Sequence, residues 1–157
     1  MKKLATIVLI SVTILGCSSD ESSSEQFIVD GIIFGEIYGF CAGDCIELYL
    51  LDDENIYKDA DGNTQYGNWE DTAFERTPLS VDAFTLAQSL LEIPAALLTT
   101  DEPVGNQTIA DFDYYLHINR DGVIKTFIFD EPMDGVSTSV KEYLEELINV
   151  SDQLSEN

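Results

Sequence analysis

The chain has 157 residues, enough for one domain, and 45% of them are hydrophobic, with 8 Phe and 7 Tyr, so a core can form and wholesale disorder is excluded. Against 30 acids stand 7 bases, a formal net charge of −23. A surface so negative repels phosphate backbones and anionic headgroups, which argues against nucleic-acid binding and against attachment to lipid through a basic patch. The same charge favours solubility and opposes self-association, leaving cations or basic partners as the ligands it would attract.

Met1-Lys2-Lys3 is a short positive start, followed by an apolar run from Leu4 to Leu15 and then Gly16-Cys17. The run is too short for a permanent membrane span and predicts a secretory signal peptide over 1–16. Lys2 and Lys3 leave with that leader, which takes the net charge from −23 to −25. Ile14-Leu15-Gly16-Cys17 resembles the lipobox of bacterial lipoproteins: an apolar residue, a tolerant position, a small residue, then cysteine. The resemblance implies cleavage before Cys17, a diacylglyceryl group on its sulfur and an acyl (palmitate-type) chain on its new amino terminus. Several chains together anchor stably where one is marginal. Residues 18–26, Ser-Ser-Asp-Glu-Ser-Ser-Ser-Glu-Gln, cannot build a core and read as a tether. Ser18-Ser19-Asp20-Glu21 is similar to the acidic surface-export signal of Bacteroidota lipoproteins, and the expected location is the outer membrane, on the cell surface or the periplasmic face.

From residue 27 to 157 the pattern is that of a single domain. Phe27–Tyr38 is an extended segment with Gly31 and Gly35 as bulges or points of close packing. Cys45–Leu51 alternates Cys45, Glu47, Tyr49 and Leu51 against Ile46, Leu48 and Leu50, the period of a second strand. Asp52–Asn55 is a polar turn and Ile56–Lys58 a short return strand. Acidic, weakly patterned sequence fills Asp59–Pro78. Ser80 then caps a helix with Val81, Phe84, Ala87, Leu90 and Leu91 on one face, which Pro94 ends or restarts. Asp101–Asp111 reads as a loop. Phe112, Tyr114, Leu116 and Ile118 mark a half-buried strand, Asn119-Arg120-Asp121-Gly122 a hairpin turn, and Val123–Phe129 its return. Pro132 and Gly135 close the hairpin. Ser139–Glu142 has the spacing of a capping box for a last helix with Val140, Tyr143, Leu144, Leu147 and Ile148 on its apolar face.

This order predicts an α+β fold, an antiparallel sheet of four or five strands with two helices packed on one face, a two-layer sandwich. With Cys41-Ala42-Gly43-Asp44-Cys45, the long apolar helix and the late hairpin, residues 27 to 154 resemble the small uncharacterised lipoprotein domains of Bacteroidota. That resemblance implies a compartment and a two-layer fold and brings no catalytic residues.

Cys41 and Cys45 are the two cysteines left once Cys17 is lipidated, and in an oxidising compartment they are expected to form a structural disulfide. A redox pair more often has two intervening residues, and a zinc site needs further ligands where the only histidine is His117. Asp59, Asp61, Asn63 and Glu70 occupy loop positions 1, 3, 5 and 12 of an EF-hand spacing, a calcium candidate that lacks glycine at position 6 and competes with an ordinary acidic turn. His117 lies on the polar side of its strand without a catalytic partner in view. Asp71-Thr72-Ala73 resembles the O-glycosylation acceptor pattern of Bacteroidota, in a segment expected to be exposed. Tyr66, Trp69 and Phe74 concentrate aromatic area in the long 59–78 connection, either as a docking patch or as core folded over the sheet.

No phosphate loop, G-x-S-x-G or HExxH occurs. The expectation is a non-enzymatic lipoprotein, without a cofactor, whose domain binds a protein or glycan partner. The alternatives are a small envelope hydrolase using carboxylates and an accessory subunit of an envelope complex.

Overall fold

The computed structural model describes residues 30–39, 45–62, 67–106, 112–132 and 134–156, and of Glu70 only the backbone. Five strands form one antiparallel sheet: β1 (Gly31–Tyr38), β2 (Ile46–Leu51), β3 (Ile56–Lys58), β5 (Phe112–Arg120) and β6 (Val123–Phe129), in the order β3-β2-β1-β5-β6. A second sheet pairs β4 (Gly105–Asn106) with β7 (Glu131–Pro132). The helices are α1 (Val81–Ala87), α2 (Ala95–Thr99) and α3 (Thr138–Ser155). The α+β class and the five-stranded antiparallel sheet are as the sequence predicts.

β1 is central, paired with β2 in one register (Phe34 opposite Tyr49) and with β5 in another (Phe34 opposite Leu116). It can be approached so closely because of its glycines. A Cβ on Gly35, whose φ is +139°, would lie 2.1 Å from the Glu47 carbonyl oxygen, and one on Gly31 2.3 Å from that of Leu51. The turn between β5 and β6 is Asp121-Gly122, with φ of 51° and 78°, the doubly left-handed geometry that suits a two-residue hairpin. Asp52 closes the β2–β3 turn, its Oδ1 accepting from the N–H of Asn55 at 2.7 Å and of Glu54 at 2.8 Å.

One face of the sheet carries Ile32, Phe34, Tyr49, Leu51, Leu116, Ile118, Phe127 and Phe129, all buried against the helices. α3 supplies Val140, Tyr143, Leu144, Leu147, Val150 and Leu154 to that core, with Ile148 at its margin. The Tyr143 hydroxyl donates to the Leu90 carbonyl at 2.9 Å, tying α3 to the segment after α1. Ser80 caps α1 through its Oγ, which accepts from Ala83 N at 3.2 Å. The helix tightens to a 3₁₀ turn at Gln88–Leu91, and Pro94 starts α2.

Three details depart from the pattern. Val81 fits the helical period but is the first residue of α1 and is 79% exposed, while Ala83 and Phe84 of the same turn pack against the core. α3 is capped by Ser137 rather than Ser139, so the Ser139–Glu142 spacing falls inside the helix. The expected loop at 101–111 contributes β4, a pairing too short to leave a periodic trace.

Candidate functional site

The opposite face of the sheet has a smaller core of Ile37, Ile46, Leu48 and Tyr115, and it is closed by Trp69 from the 59–78 connection. Trp69 opens a 3₁₀ turn (Trp69–Asp71) and lies tilted on Tyr115 with ring centroids 5.6 Å apart. It is 8% exposed, and Phe74 packs beside it half-buried. The indole therefore serves as core and leaves little surface to offer a partner; Tyr66 lies outside the described residues. Thr72 donates its hydroxyl to the Trp69 carbonyl at 2.7 Å and is buried, so the Asp71-Thr72-Ala73 segment does not present the exposed hydroxyl expected of a glycan acceptor.

Asp59 anchors the same connection. Its Oδ2 accepts from Leu48 N at 3.0 Å and its Oδ1 from Gly62 N at 2.8 Å. The Asp59 N–H donates to the Leu48 carbonyl at 2.9 Å, and Cys45 N donates to the Gly62 carbonyl at 2.8 Å. Burial lifts the Asp59 carboxyl above its ordinary range, while the two N–H groups pull it back. Both oxygens are thus engaged in holding a turn against β2. Asp61 is exposed beside it, while Asn63 and the Glu70 side chain lie outside the described residues. Among the described residues no three of His, Cys, Asp and Glu converge as a metal-holding group. Cys45 is disulfide-bonded, and its partner lies outside the described residues, as do Cys41 and Cys17.

His117 sits on this second face, stacked on Tyr115 with a 4° interplanar angle and sharing a 2.9 Å hydrogen bond with Thr126 Oγ1. Its ring is a surface brace between β5 and β6.

On the helix-covered side, near Cys45, lies a group the sequence did not single out. Glu36 and Glu47 stand directly opposite each other on β1 and β2. Like charges so placed repel, and the neighbours offset it. Tyr38 donates its hydroxyl to Glu36, Tyr49 donates to Glu47 at 2.9 Å, and Lys58 Nζ reaches the same Glu47 Oε1 at 2.7 Å. Burial first, and then the adjoining carboxylate, raise both phenols well above the ordinary tyrosine range. They stay protonated at neutral pH and act as donors that fix the carboxylates. The available sequence signal was a glutamate at an inward position of each of two successive strands.

The remaining feature is an open groove of ≈ 700 Å³ beside β6. Thr100–Asn106 form one wall and Ile124–Ile128 the other. Lys125 crosses it to pair with Asp101, whose side chain is 89% exposed, and Ile124 is 65% exposed. The volume lies within the range of ligand sites. Its lining offers the aliphatic side chains of Val104, Ile124 and Ile128, the carboxylates of Asp101 and Glu102, Thr100, Thr126 and Lys125. No family model, curated protein or solved structure matches the chain.

Proposed function

We propose that the chain is an outer-membrane lipoprotein, held by lipid on Cys17, whose domain binds a protein or glycan partner without chemistry of its own. The anchor rests on Lys2-Lys3, the apolar run and Ile14-Leu15-Gly16-Cys17. The binding role rests on the groove between Thr100–Asn106 and β6, a concave surface on a rigid sheet edge. The disulfide is proposed to join Cys41 to Cys45, clamping the end of the sheet that Asp59 also secures. Metabolic labelling with a palmitate analogue tests the anchor: the protein should take up label and fractionate with the outer membrane, and Cys17→Ser should abolish both. An unlabelled mature protein, or normal anchoring of that variant, would refute it.

The opposed pair Glu36 and Glu47 favours a second reading, a hydrolase working through two carboxylates. Under it, Glu47→Gln abolishes a hydrolytic activity measurable on envelope glycans. Under the binding reading there is no such activity to lose.

A further inference from the structure

The two edges of the main sheet are finished differently. Along β3 the chain covers its own edge: Glu75 N donates to the Lys58 carbonyl and Leu79 N to the Ile56 carbonyl, each at 2.8 Å, and Asp59 bridges Phe74. Along β6 the two-residue Asp121-Gly122 turn makes Arg120 and Val123 a hydrogen-bonded pair. In an antiparallel ladder bonded pairs alternate with unbonded ones, so Lys125, Phe127 and Phe129 aim their backbone groups at β5, and Ile124 and Thr126 aim theirs outward. Asp130 belongs to the same outward set, and its N–H donates to the Asn106 carbonyl at 2.7 Å. No described residue bonds the outward groups of Ile124 or Thr126.

The ≈ 700 Å³ groove runs along these groups. An uncovered edge is a template for another strand. Exposed Ile124 offers apolar contact on alternate positions, while exposed Asp101 and Glu102 line the far wall. Lys125, the one cation among the lining residues, is neutralised by Asp101.

We propose that β6 accepts an extended, lysine- or arginine-bearing segment of a partner protein as a sixth strand. The segment's backbone bonds Ile124 and Thr126, and its cationic side chains meet Glu102, the lining carboxylate that Lys125 does not engage. Addition of a strand in this way draws affinity from main-chain bonds and specificity from alternate side chains. A second copy of the chain is the poorer occupant, since pairing would bring together two bodies each of net charge −23. The proposal rests on the binding-module reading and gives it a partner chemistry.

The test uses the full-length chain in detergent with two eight-residue probes, one alternating Lys and Val, the other alternating Glu and Val. The Lys probe should bind with an affinity that falls with salt, slow amide exchange at Ile124 and Thr126, and outcompete the Glu probe at least tenfold. Thr126→Pro removes an N–H that the ladder does not use and also the Oγ1 bond to His117, so Thr126→Val, which lacks only that bond, is its control: the two should melt alike, and the proline alone should weaken binding at least tenfold. Glu102→Lys should weaken it less, and only at low salt. Lys-probe binding without protection at Ile124 and Thr126, unaffected by Thr126→Pro, overturns the edge site and leaves the binding-module reading standing. Failure of both probes, or protection of these amides by concentration-dependent dimerisation, overturns the proposal as well. The binding-module reading itself falls only if envelope hydrolysis is found and Glu47→Gln removes it.

Discussion

On one face of the sheet, α3 lays Val140, Tyr143, Leu144, Leu147, Val150 and Leu154 along the strands; on the other, Trp69 with Phe74 beside it covers Ile37, Ile46, Leu48 and Tyr115. The first arrangement is distributed: each helical residue adds an increment, and the helix period aligns them. The second is fastened at a few points, where a loop is held by one indole, one carboxylate and the backbone bonds of Glu75 and Leu79 to β3. Irregular backbone can cover a sheet only if its polar groups are satisfied. Asp59, Thr72 and Gly62 supply those bonds here. The helix-covered face should therefore lose stability gradually as residues are trimmed, and the loop-covered face abruptly.

The sharpest way to break that comparison is Trp69→Ala. Deleting a buried indole costs about 3–5 kcal/mol, and chemical denaturation should show a loss in that range. Limited proteolysis should cut within 67–78 before the rest of the variant unfolds. Leu147→Ala, at a fully buried position of α3, should cost about 3 kcal/mol. It should lower the midpoint without opening the loop to protease. If Trp69→Ala melts like the parent, the loop is not what secures the second face.

Asp59→Asn sharpens the comparison from the polar side. The amide can accept one of the two N–H bonds but presents its own N–H₂ to the other, so a loss of about 2 kcal/mol is expected. The pH dependence has a definite sign. Burial raises the folded-state affinity of Asp59 for a proton above that of the unfolded chain, and Asp113 is raised by burial and then by Asp130. Their contribution is full below the unfolded carboxylate value, about 3.9, and is lost as pH rises through the raised folded values. Relief of repulsion among 30 acids has the same sign. Denaturation midpoints should rise as pH falls from 7 toward 4, by less in Asp59→Asn; a fall over that window would contradict the assignment.

The helix-covered layer was legible because its signals are repetitive. The α3 face recurs at helical spacing, β5 buries Tyr114, Leu116 and Ile118 at strand spacing, and Asp121-Gly122 is a turn with a mechanism. The loop-covered face was not legible in the same way. Asp59 shares its chemistry with the rest of the chain's 30 acids, and only the partners brought by folding, Leu48 N and Gly62 N, distinguish it from a candidate calcium ligand. Trp69 was readable as either core or anchor until Tyr115 was seen beneath it. The groove was hidden because its walls come from Thr100–Asn106 and from a strand whose edge status depends on the strand order. No local pattern encodes that order.

The smallest effect concerns where α3 begins. Ser139 stands three residues before Glu142, the expected capping box, yet Ser137 holds the cap, its Oγ 3.4 Å from Val140 N. The choice follows from the turn before it. Gly135 takes a φ of +97°, which brings the chain into the helix at residue 137 and places Val140 in the first turn, where it is buried. The Ser137 carbonyl then accepts from Val140 N and Lys141 N, both at 3.0 Å, while Ser139 Oγ turns back to a 3.2 Å contact with Ser137 Oγ. Losing a serine cap costs about 0.5–2 kcal/mol, and the long Oγ–N distance puts Ser137→Ala near the lower end. Ser139→Ala, inside the helix and exposed, should be neutral or slightly stabilising, since alanine is the better helix former. Paired urea melts of the two variants decide the matter. A larger loss for Ser139→Ala would move the cap two residues along and shorten the helix that closes the first face.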